Sequence, residues 1–142
     1  QILDLMKNIQ TERPGSSTIL ITHDLSVIAE TCDRVIVMYG GLIQEMATTS
    51  DLFRDPKHPY TRGLMGSIPH EEDRGKPLYA IPGNVPSIMD FPKGCRFCTR
   101  CDVVMERCET EEPELREVSP GRFVRCHLDN LGTPAAASTE GN

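Results

Sequence analysis

The sequence has no tryptophan, and aromatic residues fill only 5% of its 142 positions. Hydrophobic residues stand at 38%, so the core is lean and is expected to need a metal site or further chain. Positive charge is also short. The formal net charge is −6, and five glutamates fall between Glu109 and Glu117. Sequence-independent binding to nucleic acid needs a basic face and is excluded as the expected function. A local basic group does surround the cysteines: Lys93, Arg96, Arg100 and Arg107. No apolar run approaches the roughly 20 residues of a membrane-spanning helix. No basic segment leads an apolar stretch at the N-terminus, as a signal peptide would require. The expectation is a soluble, cytoplasmic chain that begins inside a helix.

What is present divides near the middle. Ile2, Leu5, Met6 and Ile9 recur at helical spacing and predict an amphipathic helix over residues 1–12, stopped by Pro14-Gly15. Residues 18–22, Thr-Ile-Leu-Ile-Thr, read as a buried strand of a parallel sheet. His23 follows, Asp24 is placed to cap a short helix over 25–31, and 34–39 reads as a second apolar strand. Gly40-Gly41 suits a two-residue hairpin turn, with 42–47 returning as a strand. Ser50 can cap a short helix over 51–54, and Pro59 fits the first turn of another reaching about Gly66. Beyond Pro69 regular structure is expected to fade. Residues 70–94 carry Pro77, Pro82, Pro86 and Pro92 and read as an extended linker, and the small polar residues at the C-terminus read as a disordered tail.

A histidine just past the carboxyl edge of a parallel strand sits where open α/β sheets bind ligands, and its imidazole can hydrogen-bond a phosphate oxygen. The run Ser17-Thr18-Ile19-Leu20-Ile21-Thr22-His23-Asp24-Leu25, with Asp33-Arg34-Val35-Ile36-Val37-Met38-Tyr39-Gly40-Gly41 after it, resembles the H-loop region of ABC transporter ATPases. The resemblance covers roughly residues 1–50. It implies that His23 contacts the γ-phosphate of ATP and helps orient the attacking water. Asp24 then caps the next helix and positions the loop. The phosphate-binding G-x-x-x-x-G-K-[ST] loop, the acidic-ended strand that holds Mg²⁺ and the family's signature sequence are absent. ATP and Mg²⁺ would be bound by a preceding part, and this stretch alone is expected to be inactive.

Asp55-Pro56-Lys57-His58-Pro59-Tyr60-Thr61-Arg62-Gly63-Leu64 resembles the H-P-Y-T element of oligopeptide and dipeptide importer ATPases. Nickel and glutathione importers share it. Its expected role is packing, with Tyr60 and Leu64 one turn apart, rather than chemistry at His58.

Cys95, Cys98, Cys101, Cys108 and Cys126 cluster within the C-terminal part, and without a secretory signal such a cluster favours metal over disulfides. Four thiolates in a closed site suit Zn²⁺ or a [4Fe–4S] cluster. Spacing alone leaves the ligand set open. The peptide-importer resemblance extends over Gly94-Cys95-Arg96-Phe97-Cys98-Thr99-Arg100-Cys101, Cys108, Glu112-Pro113-Glu114-Leu115 and Val124-Arg125-Cys126-His127. It implies a [4Fe–4S] cluster on Cys95, Cys101, Cys108 and Cys126, with zinc the alternative. Cys98 departs from the pattern and is either a competing ligand or an extra thiol. Arg96, Arg100 and Arg107 are candidates to offset thiolate charge, and Cys32 reads as a small buried core residue.

The fold expected is α/β: the C-terminal part of an ABC-type P-loop ATPase fold followed by a small irregular cysteine-rich module. Residues 1–50 would close the nucleotide-binding domain, 51–94 hold the H-P-Y-T segment and linker, 95–128 form the cysteine module and 129–142 the tail. The resemblance implies the ATP-hydrolysing subunit of a peptide importer. Its partners would be a second ATPase subunit and membrane permease subunits, and its location the cytoplasmic face of the membrane. The competing reading is a stand-alone iron–sulfur or zinc protein, which residues 95–128 alone would permit.

Overall fold

The computed structural model describes residues 2–13, 15–69 and 79–129. The expected tail and most of the first half of the linker lie outside them. The amphipathic segment forms helix α1 (Ile2–Glu12), and Leu25–Thr31 forms α2. Asp24 caps α2 as the sequence suggests: its Oδ1 accepts from the amides of Ser26 at 2.9 Å and Val27 at 3.2 Å.

Strands β1 (Arg34–Tyr39) and β2 (Leu42–Thr48) pair antiparallel. In β1 Val35, Val37 and Tyr39 point inward and Arg34, Ile36 and Met38 outward. Tyr39 pairs with Leu42, and the two residues between them, Gly40 and Gly41, have φ of 58° and 82°. Two positive φ values in succession are what a type I′ hairpin turn demands.

Helix α3 (Thr49–Arg54) follows directly. Its cap is Thr48, not Ser50: Thr48 Oγ1 accepts from the Asp51 amide at 3.1 Å and donates to Asp51 Oδ2 at 2.8 Å. The helix therefore begins two residues earlier than expected. Ser50 instead accepts from Arg54 at 3.0 Å. Helix α4 (Pro59–Gly66) has Pro59 in its first turn.

The C-terminal part is more ordered than its composition suggests. Helix α5 (Glu106–Thr110) is followed by strands β3 (Leu115–Ser119) and β4 (Arg122–Arg125). Ser119 pairs with Arg122 across Pro120-Gly121, and β4 pairs in turn with β2. The result is one antiparallel sheet in the order β1-β2-β4-β3. The cysteine segment therefore contributes half the strands of a sheet begun in the N-terminal part.

One expectation is overturned. Residues 18–22 form no strand, and Ile19 and Ile21 are 90% and 94% exposed. A parallel strand takes its hydrogen bonds from neighbours on both sides, and here the described sheet is completed without it. The apolar face of α1 is likewise open, with Ile2, Leu5 and Ile9 exposed.

Two buried clusters hold the fold. Val35, Val37, Ala47 and Leu52 form one, and Tyr39, Cys95, Phe97, Cys98 and Cys108 the other. Tyr60 packs against both. Across the sheet a charged pair is buried. Glu45 is fully enclosed, and its carboxylate accepts from the amides of Lys57 at 3.0 Å and His58 at 2.8 Å and from Arg122 at 3.0 Å. Removing one partner of a buried pair leaves the other charge uncompensated. Glu45→Ala should cost about 3–5 kcal/mol in urea unfolding, well beyond the loss expected from an exposed glutamate such as Glu117→Ala.

Candidate functional site

The cysteines converge because the backbone has a three-residue repeat there. The Cys98 amide donates to the Cys95 carbonyl at 3.0 Å and the Cys101 amide to the Cys98 carbonyl at 3.3 Å, and Cys98–Arg100 is a 3₁₀ turn. At three residues per turn, side chains at i and i+3 stack on one side. Cys108 is brought to them by a close backbone approach: the Cys95 amide donates to the Cys108 carbonyl at 2.8 Å. Gly94 permits it, since a Cβ there would stand 2.3 Å from that carbonyl oxygen. Cys126 follows β4. All five thiols, Cys95, Cys98, Cys101, Cys108 and Cys126, line one cavity, with His58 and His127 also in its wall.

The thiols are free, and burial dominates their chemistry. Desolvation pushes Cys95 up to about 11 and Cys101 up to about 12, and neighbouring thiols add to the rise at both. Cys98 and Cys126 are raised for the same leading reason. The thiol form is favoured, and a thiol is not the metal-binding form. The donor chemistry suits a soft metal ion or an iron–sulfur cluster. Yet among the described residues no three Cys, His, Asp or Glu side chains are placed to hold a metal ion. The four thiols expected to hold a metal, Cys95, Cys101, Cys108 and Cys126, all lie in the wall of the one cavity.

The arginines have their hydrogen-bond partners elsewhere, although Cys108 adds a minor attraction at Arg107 and Arg116 one at Cys126. Among the described residues no Lys or Arg lines the cavity. Arg96 donates to the Gly40 carbonyl and lies over the Phe91 ring at 5.5 Å, Arg100 donates to the carbonyls of Pro82 at 2.9 Å and Ile81 at 3.0 Å, and Arg107 pairs with Glu111 at 2.7 Å. Each guanidinium has found oxygen acceptors, which a thiol replaces poorly. Cys32 is only half-buried and caps α2, its amide donating to the Ile28 carbonyl at 3.0 Å.

His58 is a structural residue. Its Nδ1 accepts from the Tyr60 amide at 3.0 Å and caps α4, so the proton of the neutral ring sits on Nε2. Its ring lies 5.9 Å from Phe97. Burial holds its pKa down at about 4, against a hydrogen bond to the Arg125 backbone that raises it. His127, part of the cysteine motif but given no role there, touches the cavity and places Nε2 2.9 Å from the Glu111 carbonyl. His23 is exposed at the bend before α2 and does not line this cavity. Gly94 was given no role of its own by the sequence, and Glu45 and Arg122 were missed. A Gly directly before a cysteine repeat was the available signal for the first.

Residues 44–108 match the family model of the oligopeptide/dipeptide transporter C-terminal region. These residues include the H-P-Y helix and the first four clustered cysteines. The chain is similar over these residues to the C-terminal region of oligopeptide/dipeptide-type ABC transporter ATP-binding proteins. An oligopeptide transport ATP-binding protein of Bacillus subtilis is 48% identical over 128 residues, covering 90% of this chain and 39% of the relative. A Brucella ovis protein named for peptide import and ATP binding is 42% identical over 132 residues, covering 92% and 41%. A Sinorhizobium fredii protein named for a peptide ABC transporter and ATP binding is 46% identical over 131 residues, covering 92% and 39%. The chain spans about two fifths of the length of the curated relatives it matches.

Two outcomes follow for this chain. Gly94→Ala should push Cys95 away from Cys108, cost about 1–3 kcal/mol and speed thiol alkylation in the folded chain. For His58, the unfolded ring takes a proton near 6.5 and the folded ring only near 4. Unfolding then binds the extra proton, so stability is full above 6.5 and declines as pH falls toward 4. Urea midpoints of the chain against His58→Asn should show that acid-side slope in the first and a flatter one in the second.

Proposed function

We propose that this chain is the C-terminal part of the ATP-hydrolysing subunit of a peptide importer. The observation that carries the reading is the family match over residues 44–108, supported by relatives named for oligopeptide or peptide transport. In this reading ATP and Mg²⁺ are held by the preceding part of the subunit. The subunit pairs with a second ATPase subunit and docks on membrane permease subunits at the inner face of the membrane. No described helix is long and apolar enough to cross a membrane, which agrees with a peripheral position.

His23 is assigned to the terminal phosphate of ATP. Its support is the sequence run from Ser17 to Leu25 together with the Asp24 cap, which fixes the backbone on which His23 stands. A neutral imidazole there can accept or donate one hydrogen bond and so register whether the phosphate is present. Residues 18–22, open here, would gain strand partners from the preceding part.

The second component of the proposal is a thiolate-held [4Fe–4S] cluster on Cys95, Cys101, Cys108 and Cys126, with zinc the alternative. Its support is the common cavity that these thiols line and the absence of disulfides among the described cysteines. Bound there, such a group would tie α5, the 3₁₀ turn and the end of β4 together by metal–sulfur bonds.

In the subunit joined to its preceding part, His23→Ala should lower ATP hydrolysis by about a hundredfold or more while ATP binding persists. Hydrolysis at the unaltered rate would remove His23 from the mechanism. For the cysteines, protein purified without oxygen should be brown, with iron and sulfide in equal amounts. Colourless protein carrying zinc would select the alternative.

A further inference from the structure

The two edges of the sheet are finished differently. β3 forms one edge and carries exposed Arg116 and Glu117, charges of the kind that discourage a further strand from pairing there. β1 forms the other, and among the described residues no strand pairs with its far side. Beyond Arg34 its residues are apolar or aromatic throughout, Val-Ile-Val-Met-Tyr. A strand apolar on both sides is the pattern of a sheet covered on both faces. Here only the face of Val35, Val37 and Tyr39 is covered, and Ile36 and Met38 are 53% and 56% exposed. Ile36 pairs with Met46, and Met46 with Phe123, so these side chains share the outer face in a row across β1, β2 and β4. Met46 and Phe123 are only half-buried. An open apolar face thus continues into an open edge without charge, and Ile19 and Ile21, ahead of α2, are exposed as well.

We propose that this edge and face are the joint between the chain and the preceding part of the subunit: a strand of that part pairs along β1, and its apolar side chains cover Ile36, Met38, Met46 and Phe123. The inference rests on the reading of the chain as the C-terminal part of a longer subunit. The chain covers 39% and 41% of two curated relatives, so the larger share of their length remains to supply both strand and cover. A strand added at β1 gains main-chain hydrogen bonds, and the row beside it gains burial. A second copy of this chain fits less well, because it would bring another net charge of −6 to the same place. Phe123 stands on β4, so the cysteine-bearing part meets the preceding part directly across the sheet.

The test compares amide hydrogen exchange in the chain alone and in the subunit joined to its preceding part, read by mass spectrometry of peptides spanning 34–39, with β3 as internal reference. Joining should slow exchange across β1 by about tenfold or more and leave β3 within about twofold. Met38→Lys is the second arm. In the chain alone its urea midpoint should stay close to the parent's, because the side chain is exposed there. In the joined subunit a lysine under the cover is unpaired, and β1 should return toward the fast exchange of the chain alone. Equal β1 exchange in the two forms would overturn the proposal, and so would exchange as slow in joined Met38→Lys as in the joined parent. Slow exchange already present in the chain alone would overturn it too, whether the mass doubles with concentration, as a second copy on the edge requires, or stays that of one chain. ATP hydrolysis by the joined subunit reads the functional assignment separately. Hydrolysis with β1 unprotected removes the joint and leaves the assignment standing, while protection without hydrolysis does the reverse.

Discussion

The fold depends on a carboxylate placed where carboxylates rarely go. Glu45 sits in the middle of β2, fully enclosed, and collects two backbone amides at the start of α4 and one guanidinium from β4. A buried ionised group is tolerated only when its hydrogen bonds are satisfied, and here three segments distant in sequence are drawn to one point to satisfy it. Arg122 extends the junction to Asp55: its side chain pairs with the Asp55 carboxylate and also donates to the Asp55 carbonyl. The register of β4 against β2 follows, because Glu45 pairs with Val124 and leaves Arg122 within reach. The cysteine segment thus joins the sheet through this ion pair as well as through its buried apolar residues, Phe97 and Val124 among them.

What could be read from the residues was local. The β1–β2 hairpin was legible because its two signals, alternation through Arg34 to Tyr39 and the Gly40-Gly41 turn, lie within the hairpin itself. The Asp24 cap and the Pro59 first turn of α4 were legible for the same reason. Residues 18–22 were misjudged because a run of β-branched and apolar residues states a preference, while a strand also requires partners that the described sheet does not supply. β3 and β4 were missed from the opposite cause. Arg116, Glu117, Arg122 and Arg125 interrupt the apolar pattern, and their pairing is secured by long-range hydrogen bonds such as Arg125 to the Ile43 carbonyl at 2.9 Å. At the site, the spacing of the cysteines left the ligand set open, because which thiols lie deepest depends on burial, which spacing does not encode.

The lean aromatic content is spent in one place. Tyr39, Tyr60, Phe91 and Phe97 gather around the thiols, with ring centroids 4.8 Å apart for Tyr39–Tyr60 and 5.3 Å for both Tyr39–Phe97 and Tyr60–Phe97. Edge-on and tilted contacts of this kind add to simple burial. The apolar surroundings that stabilise this region also raise the cost of charge on Cys95, Cys98, Cys101 and Cys126. Core packing and thiol chemistry are in this region one property.

The chain has three tyrosines and no tryptophan. Two of them, Tyr39 and Tyr60, meet ring to ring at the seam between the sheet's first hairpin and the cysteine segment, and the third, Tyr79, is half exposed to solvent. The molecule consequently carries its own optical reporter. Near-ultraviolet dichroism of the phenol rings arises chiefly from that seam, so any ligand, oxidant or partner that disturbs the union of the two halves can be followed in the unlabelled protein.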